Sequence, residues 1–509
     1  MPRTRETALL VAILSSLCIW FVWAAIDPLP LVEDEYSYVL QSRIFASGHW
    51  TAPSPPVPEF FQQAHVLTVP AVASKYPPGH ALLMSIGSFF GAPALVPLLL
   101  TGLTGALLFL LVRRVTRNDW IGLLAWIVWL SDPIDLRFRA AYYSEVTSEA
   151  MLFIAWWALL EWRESRKRGW LLALAAAVGW GAVTRPLTML AFAIPIGVVV
   201  IRDVIATKRW ADFAAAVALG TIMLGIIPLW SAETTGNWRL TPQTLWTRQY
   251  LPFDHPGFGV DTTPPTRPLL TLDRETYLAF YQYHVDHTPA HLPRIALERL
   301  SAIARGEWSG PRLALVPFVV IGLTAMNAAA GFALVSGLAL FVAYLSYGHW
   351  ADWTLYYFEA LPVLSLLAAL GLWRVYAWGR ARWTNPAVLR GVRGLAAAGL
   401  VLLAGYELGT WRSTRIAMAS YDVAFRDLVN RLPMRAAVVF VHYAPRVGRH
   451  ATVVTNSPHL AEDPVWVVND LGARDTALMR YAGPRVPLLF YEDGGKIEVD
   501  TALIRRPTR

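Results

Sequence analysis

The chain has 509 residues, is 55% hydrophobic and only 16% charged, and carries 23 tryptophans and a formal charge of +8; its mean hydropathy is +0.41. An ordinary soluble domain carries about 25% charged residues and far fewer long apolar runs, so a soluble enzyme is excluded. The positive charge is not a nucleic-acid footprint, because it gathers in short loops between apolar runs, as the positive-inside rule predicts.

Four basic clusters carry this pattern: Arg113, Arg114 and Arg117; Arg163, Arg166, Lys167 and Arg168; Arg202, Lys208 and Arg209; and Arg374, Arg380, Arg382, Arg390 and Arg393. In chain order the predicted membrane spans are 8–27, 93–112, 119–133, 145–162, 169–184, 187–201, 211–231, 311–326, 331–347, 358–376 and 394–411. With a cytoplasmic N-terminus, this parity puts all four clusters on the cytoplasmic side. Residues 1–26, with Arg3 and Arg5 before the apolar run, read as an uncleaved first helix rather than a removed signal, because the run is longer than a signal core of about 7–15 residues. The single Cys18 lies within that run, which leaves no intrachain disulfide and no cysteine metal site. The expected fold is an all-α multi-pass membrane protein of about eleven spans over 1–411, followed by a small external α/β domain over 412–509.

Behind the first span stands Glu33-Asp34-Glu35, at the membrane–water boundary where carboxylates are costly unless satisfied. Tyr36, Val39, Leu40 and Ile44 then recur on one helical face, with Ser37 and Arg43 opposite, which predicts a helix lying in the interface plane. The external loop 28–92 continues with a proline-rich coil at Pro53, Pro55, Pro56 and Pro58, and then SKYPPGHALLMSIGSFFG. Its segment 81–90 is too short to span and predicts a juxtamembrane or re-entrant helix. A second external loop, 232–310, is rich in Trp, Tyr, His and Pro. In 412–509, AAVVFV, PVWVVND and VPLLFYE predict short buried strands, with DTALMRYA as a helix between two of them.

A first helix, then Asp34-Glu35-x-x-Tyr38, a helix ending in Ala-Ser-Gly-His-Trp, a proline-rich coil and Lys75-Tyr76-Pro77-Pro78 resembles the GT-C glycosyltransferases. The branch it resembles is that of the bacterial aminoarabinose transferases and protein O-mannosyltransferases (glycosyltransferase family 39-like). The resemblance covers residues 1–200 by topology and motif order, 200–411 by architecture, and 412–509 not at all. In that family the first external loop carries an Asp-Glu pair and, in the aminoarabinose branch, a Lys-Pro-Pro; Tyr76, inserted between Lys75 and the prolines, departs from it.

The resemblance implies sugar transfer from a polyprenyl-phosphate donor at the external face of the bacterial inner membrane. The acceptor would be a lipid, glycan or protein, and the sequence does not name the sugar. Asp34 is the implied general base, since the attacking hydroxyl or amine must lose a proton, and Glu35 its partner or alternate. Acids in a first helical turn also stabilise the helix dipole, by about 0.3–1 kcal/mol. Lys75 is the implied cation for the leaving phosphate, with a snorkelling interfacial lysine as the other reading. Arg185, Arg137 and Arg139 are external arginines against the topological bias. Arg185 either serves the site or pairs with Glu145 in packing.

Further candidate binding residues are His80, Tyr142, Tyr143 and Glu145, then Arg248, Tyr250 and Asp254 in RQYLPFDHPGFG, and His349, Tyr357 and Glu359 in YGHWADWTLYYFEALP. Ionisable groups at span ends are site candidates by default. His284, His287 and His291 have a spacing that suggests a metal site, but Pro289 interrupts the helix, so no metal and no other cofactor is expected. Neither a G-x-G-x-x-G turn nor a Walker loop is present, so the donor is expected to be lipid-linked rather than a nucleotide sugar. The competing reading is a lipid or sugar-lipid transporter or flippase, which would carry mid-span charges and repeated halves.

Overall fold

The computed structural model describes residues 2–25, 28–383, 385–444 and 452–499. Helix α1, Pro2–Trp23, leads into α2, Glu33–Ala46. Three short strands follow, β1 (Ala52–Pro53), β2 (Val66–Leu67) and β3 (Ala71–Ser74), in an antiparallel sheet of order β1-β3-β2. The next helices are α3 (Gly79–Phe89), α4 (Leu95–Thr116), α5 (Asp119–Leu130), α6 (Pro133–Arg139), α7 (Glu145–Ser165), α8 (Arg168–Thr184) and α9 (Pro186–Thr207). Then come α10 (Trp210–Leu224), α11 (Ile226–Thr235), α12 (Pro242–Tyr250), α13 (Thr271–Asp286), α14 (Leu292–Glu307), α15 (Val316–Leu323), α16 (Ala328–Tyr344), α17 (Pro362–Arg382) and α18 (Pro386–Asn430).

Each expected span falls on a helix or helix pair. Among the described residues, six helices are long and apolar enough to cross a membrane, or up to seven when the pair Gly310–Leu323 and Ala328–Tyr344 is included. That pair bends by 118° across the 324–327 break. Helices α5 and α8 are apolar but shorter. The exposed stripe Leu190, Ile194, Val198, Ile201, Ile205 on α9 recurs every three to four residues. Such a stripe is the lipid-facing side of a membrane helix. Local chemistry sets the helix ends: Asn118, Asp132, Asn327 and Asn385 cap α5, α6, α16 and α18 through their side chains. Arg117, Arg166 and Lys208 close α4, α7 and α9 in the left-handed conformation. They thereby put cations from three of the basic clusters at negative dipole ends.

Two expectations need correction. Ser37 does not lie on an exposed face of α2: it is buried, its Oγ 2.6 Å from Ser74 Oγ. The polar face of α2 is covered by β3 and α3, with Gln41 accepting from the Ser74 N–H at 3.0 Å. The span expected at 394–411 does not stop there, because α18 runs unbroken for 45 residues. At 1.5 Å per residue it is about 68 Å long, twice a hydrocarbon core of about 30 Å.

Its C-terminal end reaches a four-stranded sheet of order β5-β4-β6-β7, formed by β4 (Ala437–His442), β5 (Val465–Asn469), β6 (Val486–Tyr491) and β7 (Lys496–Val499). Strand β4 is parallel to β5 and β6, while β7 is antiparallel to β6; α19 (Asp475–Met479) connects β5 to β6. The three expected strands and the helix are all present, and β7 is an addition. One sheet face packs on Phe425 of α18, through Val439, Val441 and Phe490. The other packs Val438, Phe440 and Val468 on Phe60 and Phe61 of the first loop. Asn469 fixes that contact by donating to the carbonyls of Phe60 (3.1 Å) and Gln62 (2.9 Å).

Candidate active site

Helix α2 starts at Glu33, so its three acids point about 100° apart and meet different surroundings. Asp34 turns into a cavity of about 220 Å³, which Lys75, His65, Tyr76, Arg137 and Asp254 also line. One Asp34 oxygen accepts the Tyr76 hydroxyl hydrogen, and the other lies 3.7 Å from His65 Nε2. Burial pushes the Asp34 carboxyl upward, but His65, the Tyr76 hydrogen bond and Lys75 together hold it below the ordinary carboxylate value. Lys75 is held at the cavity by its chain neighbours in β3, its N–H donating to the His65 carbonyl at 2.9 Å. Its ammonium lies 4.0 Å from the Trp246 ring centroid and 5.2 Å from that of Tyr76. Burial lowers the Lys75 pKa below its ordinary value, with Asp254, Asp34 and Glu33 opposing that shift.

The second loop and the segment between α16 and α17 supply the opposite wall. Asp254 accepts from Tyr347 Oη at 2.8 Å and lies 3.9 Å from His284. Trp246, Tyr277, Phe280, Trp350, Trp353 and Tyr356 give this wall an aromatic surface suited to a sugar ring or a prenyl chain. Among the expected site residues, Asp34, Lys75, Arg137, Tyr143, Tyr250 and Asp254 meet in this one cavity.

The others do not line it. Glu35 accepts from the N–H groups of Leu31 (3.1 Å) and Tyr142 (3.0 Å), with Arg415 4.0 Å away, and ties loops together away from the cavity. Burial raises its pKa despite Arg415. Arg139 is sealed against Glu149 (2.7 Å) and Asp135 (3.3 Å) beneath the Trp129 and Phe358 rings. Tyr142 donates its hydroxyl to the Pro28 carbonyl at 2.8 Å. His80 is buried, its Nδ1 2.8 Å from Thr147 Oγ1 and its Nε2 3.1 Å from the Tyr142 carbonyl. His349 and Tyr357 meet each other at 3.1 Å beside Arg299. Arg248 is exposed on α12.

Arg185 forms an ion pair with Glu145 and lies 3.3 Å from Glu359, which accepts from Ser148. This buried cluster stands behind the cavity. Tyr38 bridges the two, stacking on Tyr76 at 4.8 Å and donating to Ser144 Oγ at 3.0 Å, next to Glu145. Sequence reasoning missed His65, a lone histidine in coil, and took Tyr76 as an interruption where it is a direct partner of Asp34. Among the described residues no three His, Cys, Asp or Glu side chains are grouped to hold a metal.

These features define a multi-pass membrane protein in which loops 28–92 and 232–310, with the segment between α16 and α17, enclose a cavity with a carboxylate and a cation. Residues 78–231 match the dolichyl-phosphate-mannose-protein mannosyltransferase family. The match begins after Lys75, so Asp34 and Lys75 lie outside it. No curated protein matches. Among solved structures, the chain is similar to ArnT of Cupriavidus metallidurans bound to undecaprenyl phosphate, with a TM-score of 0.55 and 18% identity over 94% of this chain and 92% of that one. The apo state of the same enzyme gives 0.55 and 17%, over 96% and 94%. The chain is thus similar over 78–231 to that mannosyltransferase family and shares the overall fold of ArnT.

Proposed function

We propose that the protein moves a sugar from a polyprenyl-phosphate donor to an acceptor hydroxyl or amine at the external face of the bacterial inner membrane. The observation that carries this reading is the convergence of Asp34 and Lys75 on one cavity. Asp34, held ionised by Tyr76 and His65, takes the acceptor proton as the new bond forms at the anomeric carbon. The bond from that carbon to the donor phosphate oxygen breaks, and the electron pair leaves with the polyprenyl phosphate. Lys75 and Arg137 face the negative charge that develops there. The aromatic wall holds the head group and keeps water from competing with the acceptor. Arg185, Glu145 and Glu359 support the cavity from behind rather than touching substrate. In this reading 1–411 carries the chemistry, 412–509 lies outside the membrane, and the N-terminus is cytoplasmic. The undecaprenyl phosphate bound by ArnT supports the lipid class of the donor.

The test is a panel of polyprenyl-phosphate pentoses and hexoses offered to the purified protein in nanodiscs, with free polyprenyl phosphate as the readout. Release that requires an added acceptor is the expected result. Movement of intact lipid-linked sugar between leaflets without cleavage would replace this reading with transport.

A further inference from the structure

The carboxyl ends of the parallel strands in the C-terminal sheet carry a row of side chains that the transfer chemistry does not use. Register places Val441 opposite Asn469 and His442 opposite Tyr491, so Asp470, His442 and Tyr491 stand side by side across β5, β4 and β6. The chain leaves central β4 for β5 on one side and then crosses to β6 on the other. The carboxyl ends of β4 and β6 therefore flank a topological switch point, the position at which open α/β sheets bind ligands.

His442 Nδ1 lies 2.6 Å from Asp470 Oδ2, and the side chains are 57% and 12% exposed. In the neutral imidazole this contact favours the proton on Nδ1 and leaves Nε2 as an acceptor toward solvent. Asp470 is itself oriented, its Oδ1 accepting from the Gly472 N–H at 2.7 Å. The Tyr491 ring, 44% exposed, lies 5.5 Å from the imidazole.

By strand alternation, His442 and Asp470 share the face of Phe440 and Val468, which packs on Phe60 and Phe61. Asn469, the neighbour of Asp470, is bonded to the carbonyl of Gln62, whose residue lines the cavity of Asp34. A ligand on this row therefore rests beside the segment that forms the cavity wall.

We propose that Asp470, His442 and Tyr491 form a subsite for a neutral, hydroxyl-rich acceptor glycan, an inference that rests on the transferase reading for its role as acceptor site. An oriented carboxylate and imidazole supply acceptors for sugar hydroxyls, and an exposed phenol ring supplies a face for stacking. The Asp470 carboxylate disfavours a phosphorylated or otherwise anionic ligand.

The test labels the full-length protein in nanodiscs with diethyl pyrocarbonate and follows His442 by peptide mass spectrometry, with exposed His49 as internal control. The probes are maltohexaose, chitohexaose and mannohexaose, with inorganic phosphate as the anionic comparison. At a probe concentration about four times Kd, mass action slows His442 labelling about fivefold and leaves His49 unchanged. Tyr491→Ala abolishes the protection, while Asp470→Asn, which still accepts from Nδ1, retains most of it. With an active donor, His442→Ala and Tyr491→Ala raise the acceptor KM without changing the donor KM. Absence of protection by all three oligosaccharides, protection by phosphate, or protection that survives Tyr491→Ala overturns the proposal. Protection without any turnover supports the subsite and refutes the transferase reading, which keeps the two failures apart.

Discussion

Replacing Asp34 with Asn tests the proposed chemistry most directly, because the substitution keeps shape and removes the proposed base. The amide oxygen still accepts from the Tyr76 hydroxyl, and the side chain stays opposite His65. Folding therefore loses only the difference between a charge-assisted and a neutral hydrogen bond, about 1 kcal/mol. Removing a positioned general base costs about 10²–10⁴ in rate. That range corresponds to about 3–5 kcal/mol of transition-state stabilisation. The assay is single-turnover release of polyprenyl phosphate in nanodiscs, with donor affinity and thermal midpoint measured on the same preparation. The expected result is a large fall in kcat with donor affinity and midpoint nearly unchanged. In the native protein, the depressed Asp34 pKa keeps the base ionised until pH falls through a value below 3.8. Turnover by Asp34→Asn within about tenfold of native, well short of the loss expected for a base, would refute the role.

Lys75 titrates below its ordinary value of 10.5, so its charge is present at low pH and lost as pH rises. The alkaline limb of kcat/KM is expected below that value in the native protein and absent in Lys75→Arg, while Lys75→Met loses about 10²-fold below the limb and converges on the native protein above it. Arg139→Met strands the buried carboxylates Glu149 and Asp135 and is expected to cost about 3–5 kcal/mol, read as a lowered thermal midpoint in detergent. Adding Glu149→Gln to it restores part of the loss, which a donor-binding role for Arg139 does not predict. Asn469→Ala frees the carbonyls of Phe60 and Gln62, at about 1–3 kcal/mol. Hydrogen exchange is expected to rise in segment 57–65 and activity to fall while the helical core stays intact.

Hydrophobic run length made the helices legible, and the acid cluster and Lys75 stood out because charge at a membrane boundary demands a reason. Beyond that, the sequence carries little sign of which charges meet substrate. Arg139 and Arg137 are two residues apart on α6, yet one is locked between carboxylates and the other lines the cavity. The helical turn separates them, and only the position of α7 decides which is buried. Glu35 and Asp34 diverge for the same reason. The aromatic wall comes from Trp246, Tyr277 and Trp350, far apart in the chain and brought together by tertiary packing. His65 sits in coil without periodicity, so no pattern marks it. The continuation of α18 past 411 was hidden because its C-terminal half is polar on most sides, which reads as soluble sequence, whereas it docks on the first loop.

That uninterrupted rod couples the helical region to the C-terminal sheet mechanically. Arg415, two-thirds of the way along it, donates to the Leu29 carbonyl and lies near Glu35, and Asp422 accepts from Tyr36. These contacts fasten the rod to the residues flanking Asp34. A stiff lever about 68 Å long turns a 5° tilt into roughly 6 Å of travel at its tip. Bilayer thickness, which sets helix tilt, thereby bears on the alignment of the first loop.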